Sequence, residues 1–407
     1  MKRTALLLPP LFVLLLLAAW AWAAPPPRFE LLAHARPAGY YNADVFAHRG
    51  YAYLSSEYAS RSCPARGVRV FDIRTLRRPR QVATFGRIAG TWTEKTIVRR
   101  LATAAFTGDV AVTTFQRCRR NSDAFQGFGL YDVRNPAQPR QLALVRTEPN
   151  GSHEIWLAAP NGGAYVYTAI PRAEVLSGEP DFRIFDVSDP RAPEQIGAWG
   201  AIQHLGAPRT RATLVHSVIT NTAATRAYLS YWDLGTVILD ITDPGQPRYL
   251  GRTDPDQCCS HSAALDERRD LLIETHETNA GHPTVYDISN AAQPRRLATI
   301  TAPVGYKSGG NLGDMSGAGL SRSVHDPRIV GTTAFFSWYS QGVVAVDLTR
   351  PSRPRVIGRY LPSPSRDPEG LLCPGRRCTA VWGVYPLGPR TVLASDLSSG
   401  LWVLRLR

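Results

Sequence analysis

Short apolar segments recur along this chain, each cut off by a proline-bearing polar turn and followed by a second, weaker apolar segment. In Ile238–Thr253, ILDITDPGQPRYLGRT, the run VILDI has the continuous apolar character of a buried strand. The D-P-x-x-P piece after it predicts a turn, because Pro presets φ and Asp bonds the nearby backbone. PRYLGRT then opens a second strand with Pro at its first position, where no ladder donor is lost. Upstream, Leu214–Thr220 (LVHSVIT) and Arg226–Trp232 (RAYLSYW) read as two further strands. The unit is therefore a four-stranded antiparallel sheet.

Close copies begin at Val70, Leu130, Ile184, Val285 and Ala345, and their aspartates Asp72, Asp132, Asp186, Asp240, Asp287 and Asp347 are 47–60 residues apart. That period fits one propeller blade per copy. A seventh copy is incomplete. Ala380–Tyr385 supplies its strand A and VLASDLSSGLWVLRLR, from Val392 to the end, its strands B and C. The missing strand D is expected at Pro26–Ala33, PPRFELLA, which matches QPRYLGRT. The expectation is an all-β, seven-bladed propeller filling residues 24–407. Its ring is closed by residues 26–33 as outer strand of the last blade, which removes the open seam.

With strands lettered A to D from the axis outward, the stereotyped turns join C to D on the bottom face. The top face carries the irregular connections: Glu57–Arg66, Gln116–Gln126, Ala173–Pro180, the Gly-rich Val304–Leu320 and Pro362–Cys378. Irregular loops on a rigid scaffold are where binding concentrates.

Aligning the units puts His153, His216, His261 and His325 at one repeat position, with Trp382 at that position in the seventh unit. The position is the top of strand A, beside the central channel. Converging neutral imidazoles are ligands for a divalent or transition metal ion, with Glu154, Glu274 and Glu277 as nearby acids. His276 aligns with Trp232 and is a weaker candidate; Asp326 reads as part of an H-D-P turn. A repeated ring can equally persist as a structural hydrogen-bonding device. Four consecutive blades also span about half the ring, so not all four can reach one ion.

Composition adds a compartment. Lys2 and Arg3 precede an apolar run from Ala5 to Trp22 that ends in Ala21-Trp22-Ala23, the pattern of a signal peptide over residues 1–23. An uncleaved membrane anchor is the rival reading. Six cysteines in an exported chain suit disulfides. Cys63 and Cys118 fall in loops of neighbouring blades, and Cys373 and Cys378 bracket a short turn. The adjacent Cys258 and Cys259 form either a vicinal bridge or two longer ones. The net charge of +14 comes almost wholly from Arg, recurring once per repeat instead of in one stripe. That argues against nucleic acid, which wants a contiguous basic track. The Val304–Leu320 loop lacks the Lys-Ser/Thr of a phosphate loop, and neither G-x-S-x-G nor H-E-x-x-H occurs. Asn150-Gly151-Ser152 is a formal glycosylation acceptor.

The segments H-S-V, A-Y-L-S-Y-W-D, G-x-V-I-L-D-I-T-D-P and S-D-L-S-S-G-L-W-V-L resemble those of the LVIVD-repeat proteins over essentially the whole mature chain. SNAAQP at Ser289 departs by lacking D-P, and the second unit by lacking the strand A histidine. The resemblance implies an exported or surface-attached microbial propeller and no settled activity. Two functions follow as expectations. One is a secreted or periplasmic monomer that binds a protein, glycan or cell-envelope component through its top loops and channel mouth, without a membrane span once the leader is removed. The other is a metal-dependent oxidase or hydrolase using the channel histidines.

Overall fold

The structure is a computed structural model that describes residues 29–37, 41–57, 63, 65–118, 123–254, 257–277, 281–301, 323–366 and 377–407. Seven antiparallel blades of four strands each, ordered A-B-C-D, carry the chain; in blade 2 the short strand Thr91–Trp92 also pairs with strand B, and Ser365–Arg366 pairs separately with Arg377–Cys378. Strands A of blades 1 to 7 are Asn42–His48, Thr96–Ala102, Glu154–Ala158, Val215–Thr220, Ser260–Asp266, Pro327–Val330 and Val381–Pro386. Each touches strand A of both neighbouring blades, so the ring is closed around its axis. Large apolar side chains such as Phe128 and Phe185, edge to face at 5.1 Å, fill the space between blades.

The recurrent turn is explained by its aspartate. In all six complete copies the Asp Oδ1 accepts the backbone N–H two residues on, from Arg74, Arg134, Ser188, Thr242, Ser289 and Thr349. In four copies the other carboxylate oxygen meets an arginine eight residues on: Asp132–Arg140, Asp240–Arg248, Asp287–Arg295 and Asp347–Arg355. Much of the positive charge is thus consumed in turns on the rim. Every C–D pair also carries one register shift, a bulge that bends the outer strand.

The closing strand obeys the same rule. Phe29–Ala35 pairs with Gly400–Leu406 and has its own bulge at Leu31/Ala33. Its register differs by two residues from the sequence match: His34, not Leu32, stands opposite Trp402 as Arg252 stands opposite Val237 in blade 4. A shift of two keeps every side chain on its face, so alternation alone does not distinguish the registers. Charge does. Arg405 occupies the place of the turn aspartate and Glu30 that of its arginine, so the usual pair is present with its signs exchanged. Glu30 gathers Arg407 at 3.0 Å, Arg405 at 4.0 Å and, from blade 1, Arg77 at 2.8 Å.

Cys63 and Cys118 are disulfide-bonded, tying the B–C loops of blades 1 and 2. Cys258 and Cys259 form a vicinal disulfide just before strand A of blade 5. Cys378 is disulfide-bonded; Cys373 lies outside the described residues. The Ala173–Pro180 loop contains a short helix, Ala173–Ser177. Residues 1–23, which carry the signal-peptide pattern, and Val304–Leu320 lie outside the described residues. No described helix is long and apolar enough to cross a membrane.

Candidate functional site

Aligned on the repeat, the position at the top of strand A or just before it carries Ala43, Lys95, His153, His216, His261, His325 and Trp382 in blades 1 to 7. The next position carries Asp44, Thr96, Glu154, Ser217, Ser262, Asp326 and Gly383. In blades 1, 4, 5 and 7 strand A is irregular just there, the kind of bulge that re-aims a side chain. Side chains from these two positions, with the lower ends of the same strands, form three tiers along the channel, Lys95 reaching from the first position into the second tier.

The upper tier is an arc of rings. Successive centroids are 4.5 Å apart for His153–His216, 4.0 Å for His216–His261, 4.4 Å for His261–His325 and 4.7 Å for His325–Trp382. The sequence alignment therefore brings together the five side chains it singled out. Hydrogen bonds orient them. His153 Nδ1 donates to Gln116 Oε1 at 2.6 Å, which leaves its Nε2 to accept from His216 Nε2 at 3.0 Å. His216 Nδ1 then carries a lone pair. It lies buried without a well-aligned partner, although the nearby His261 backbone favours protonation of the ring. His261 Nδ1 donates to the His325 carbonyl at 2.8 Å, so its Nε2 lone pair faces Glu277 Oε2 at 3.5 Å.

Burial holds all four rings neutral. It lowers the pKa of His153 to about 4 and that of His325 to about 3, and pushes His216 and His261 well below the ordinary value. Burial also raises Glu277 to about 7, against a hydrogen bond from the Tyr339 hydroxyl. A bare imidazole nitrogen facing a carboxylate oxygen is repelled unless a proton or a cation lies between them. His216, His261 and Glu277 each offer one donor atom, and these atoms lie within 4.8 Å of one another. Two imidazoles and a carboxylate are a ligand set for zinc and related ions. On the far side of the arc, Trp382 Nε1 donates to Glu94 Oε1 at 2.6 Å, and His325 Nε2 is 3.8 Å from the same oxygen. Burial, then the charge of Glu57, raises Glu94 well above the ordinary carboxylate value.

Below the rings sits an ion cluster centred on Lys95. Its ammonium is 2.7 Å from Asp326, 2.8 Å from Asp44 and 3.2 Å from Glu154. Arg328 adds contacts to Asp326 at 3.1 Å and Asp44 at 3.5 Å. Burial opposes the lysine charge, but Asp326, Asp44 and Glu154 outweigh it and raise its pKa. Burial likewise opposes ionisation of Asp326, but Lys95 and Arg328 prevail and hold it below the usual range. Burial raises Glu154 well above the ordinary carboxylate value and raises Asp44 as well, against the pull of Lys95, so two cations face three carboxylates of which these two are pushed toward the neutral form. A void of about 10 Å³ beside Lys95, Glu154 and Asp326 shares Trp156, Ile219, Ala263 and Arg328 with the third tier. That third tier is a cavity of about 400 Å³ at the lower ends of strands A of blades 2 to 6.

Three residues singled out in the sequence sit elsewhere than beside the His216–His261–Glu277 group. Glu154 belongs to the lysine cluster. Glu274 lies on strand B of blade 5 and faces blade 4. Its Oε2 accepts from Thr236 N at 3.0 Å and from the Thr236 and Thr253 hydroxyls, while Oε1 is 3.2 Å from His276 Nε2. Asp326 is a fully buried ion-pair member instead of a turn residue. Lys95, Asp44, Arg328, Glu94 and Tyr339 were not legible as site residues. The available signal was Lys95, one of three lysines in the chain, standing at the histidine position of the second unit.

No family model matches this sequence, and no curated protein matches it. Among solved structures, the crystal structure of Chaetomium thermophilum Raptor is similar, with a TM-score of 0.62 and 11% identity. The likeness covers 94% of this chain and 30% of that one. At that identity it shows the propeller fold alone.

Proposed function

We propose that the chain is an exported binding propeller whose recognition site is the upper mouth of the channel, organised around a divalent transition-metal ion held by His216, His261 and Glu277. The observation that carries this reading is the convergence of two buried neutral imidazoles and a buried carboxylate on one point, with the His261 lone pair aimed at Glu277. Three protein donors leave a coordination position for an outside ligand. Gln116, at the start of the irregular Gln116–Gln126 segment, already bonds His153 at 2.6 Å, and this face gives the partner its contacts. The signal-peptide pattern and the Cys63–Cys118 bridge support export to a secreted or periplasmic location. The LVIVD resemblance, which rests on the motifs alone, agrees.

The test is metal analysis of protein purified without chelators, followed by titration of the metal-free protein with Zn²⁺. About one equivalent should bind and raise the melting temperature. The double variant His216→Gln/His261→Gln should bind none while keeping its circular dichroism spectrum. Absence of metal, with no thermal response to added Zn²⁺, Cu²⁺ or Co²⁺, would exclude the metal-centred site.

A further inference from the structure

The cavity at the lower end of the channel is chemically unlike the upper mouth. Its cations are Arg99 and Arg100 from blade 2 and Arg328 from blade 6, against one carboxylate, Glu267. Glu267 is already engaged by the backbone N–H and hydroxyl of Thr222, both at 2.7 Å. Arg328 is committed inward to Asp326 and Asp44, and Arg100 lies 4.0 Å from Asp109. Arg99 differs. Its guanidinium stacks near Trp156 at 5.4 Å and Phe46 at 5.9 Å, and its Nε donates one long bond, 3.4 Å, to the Leu157 carbonyl. Among the described residues no carboxylate forms an ion pair with it. A half-buried guanidinium facing a cavity without a counter-ion is an anion-binding group. A second, independent feature of the lining lies on strand A of blade 4. The Thr220 hydroxyl is buried with no hydrogen-bond partner, the state of a donor that an outside acceptor satisfies. Ile219, Leu265 and Ala263 line the remainder with apolar surface.

We infer that this lower cavity is a second ligand site, for a small organic monoanion with an oxyanion head and an apolar body, the head taken by Arg99 and the Thr220 hydroxyl. The volume, about 400 Å³, lies in the range of small-molecule sites. Arg99 is the one guanidinium of the lining with no carboxylate partner among the described residues, and it matches a single negative charge, so a carboxylate suits the site better than a phosphate monoester. A guanidinium presents parallel in-plane N–H donors that a carboxylate accepts. The site is separated from the upper mouth by the Lys95 cluster, and its ligand does not depend on the metal reading.

Isothermal titration of the full chain with benzoate, octanoate, phenyl phosphate and benzyl alcohol tests this. The carboxylates should bind, phenyl phosphate more weakly, and benzyl alcohol without measurable heat. Arg99→Leu should weaken carboxylate binding about tenfold or more, as expected for loss of a charge-assisted hydrogen bond, and Thr220→Val should weaken it by a smaller factor. His216→Gln/His261→Gln should leave it unchanged. No heat with either carboxylate at millimolar concentration would overturn the site. So would benzyl alcohol binding the wild-type chain as well as benzoate does, a comparison that needs no variant to fold. Tighter binding of phenyl phosphate than of benzoate would overturn the assignment of a monoanion.

Discussion

The two ends of the channel are built by the same seven strands and have opposite chemistry. At the upper end strand A and the residues just before it contribute neutral nitrogens, beside the buried acids Glu277 and Glu94 whose pKa values burial raises. At the lower end strand A contributes guanidinium groups whose charge is fixed. The first end suits a cation whose arrival displaces protons, the second an anion. Lys95 and its three carboxylates divide them with a nearly neutral septum. A repeat thus supplies geometry to both ends equally, and the side chains at two register positions decide what each end can hold.

The largest effect should come from removing the divider. Lys95→Met leaves buried carboxylates without their central cation, and breaking a buried ion pair costs about 3–5 kcal/mol. Urea denaturation should show that loss; a change below about 1 kcal/mol would mean the ends are not separated by charge. Next comes acid sensitivity, which should belong to the upper end alone. An unfolded histidine binds its proton near pH 6.5, whereas folded His153 binds only near pH 4. Between those values the unfolded state holds more protons, so acid destabilises the fold, by on the order of 3 kcal/mol for this ring at full development. His153→Gln should therefore lose less stability than wild type as pH falls from 7 to 4. Glu277 works in the reverse direction. Its folded pKa is raised to about 7, so its contribution is complete below about pH 4.5 and fades as pH rises through 7. Arg99→Leu, at the lower end, should differ from wild type by an amount that does not change with pH over this range. The smallest effect is at the rim, where neither end is touched. Asp240→Asn removes an exposed turn pair, and chemical denaturation should report less than about 1 kcal/mol.

The architecture was legible because one sixteen-residue pattern carries strand C, a turn that needs its Asp and Pro, and strand D. The seventh blade could be completed from the other end of the chain for the same reason. Its register was not legible, since a two-residue slide preserves alternation and the fixing pair, Glu30 with Arg405, has exchanged signs. The histidine arc could be read from alignment, because rings at one repeat position must meet around an axis. Lys95 was missed because, at a position recognised by histidine, a lysine reads as an absence. Glu274 was misplaced because nearness in sequence to strand A says nothing about a strand B side chain that turns toward the neighbouring blade. The lower cavity left no trace: Arg99, Trp156 and Thr220 repeat nothing, and only the fold makes them neighbours.

The strand that completes blade 7 has a consequence in time. Phe29 finds its partner in Leu406, so the first of the propeller's described strands to emerge during synthesis waits for the last of them. Until then Gly400–Leu406 has not formed and the early strand presents an unpaired edge. Six blades can assemble with local partners, but the final pairing closes a loop of nearly the whole chain, and such long-range pairing is slow. Two incomplete chains that meet in this interval can each lend the other its waiting strand. The characteristic assembly error of this design is therefore an exchanged pair, in which every contact is native and the chains are no longer separate.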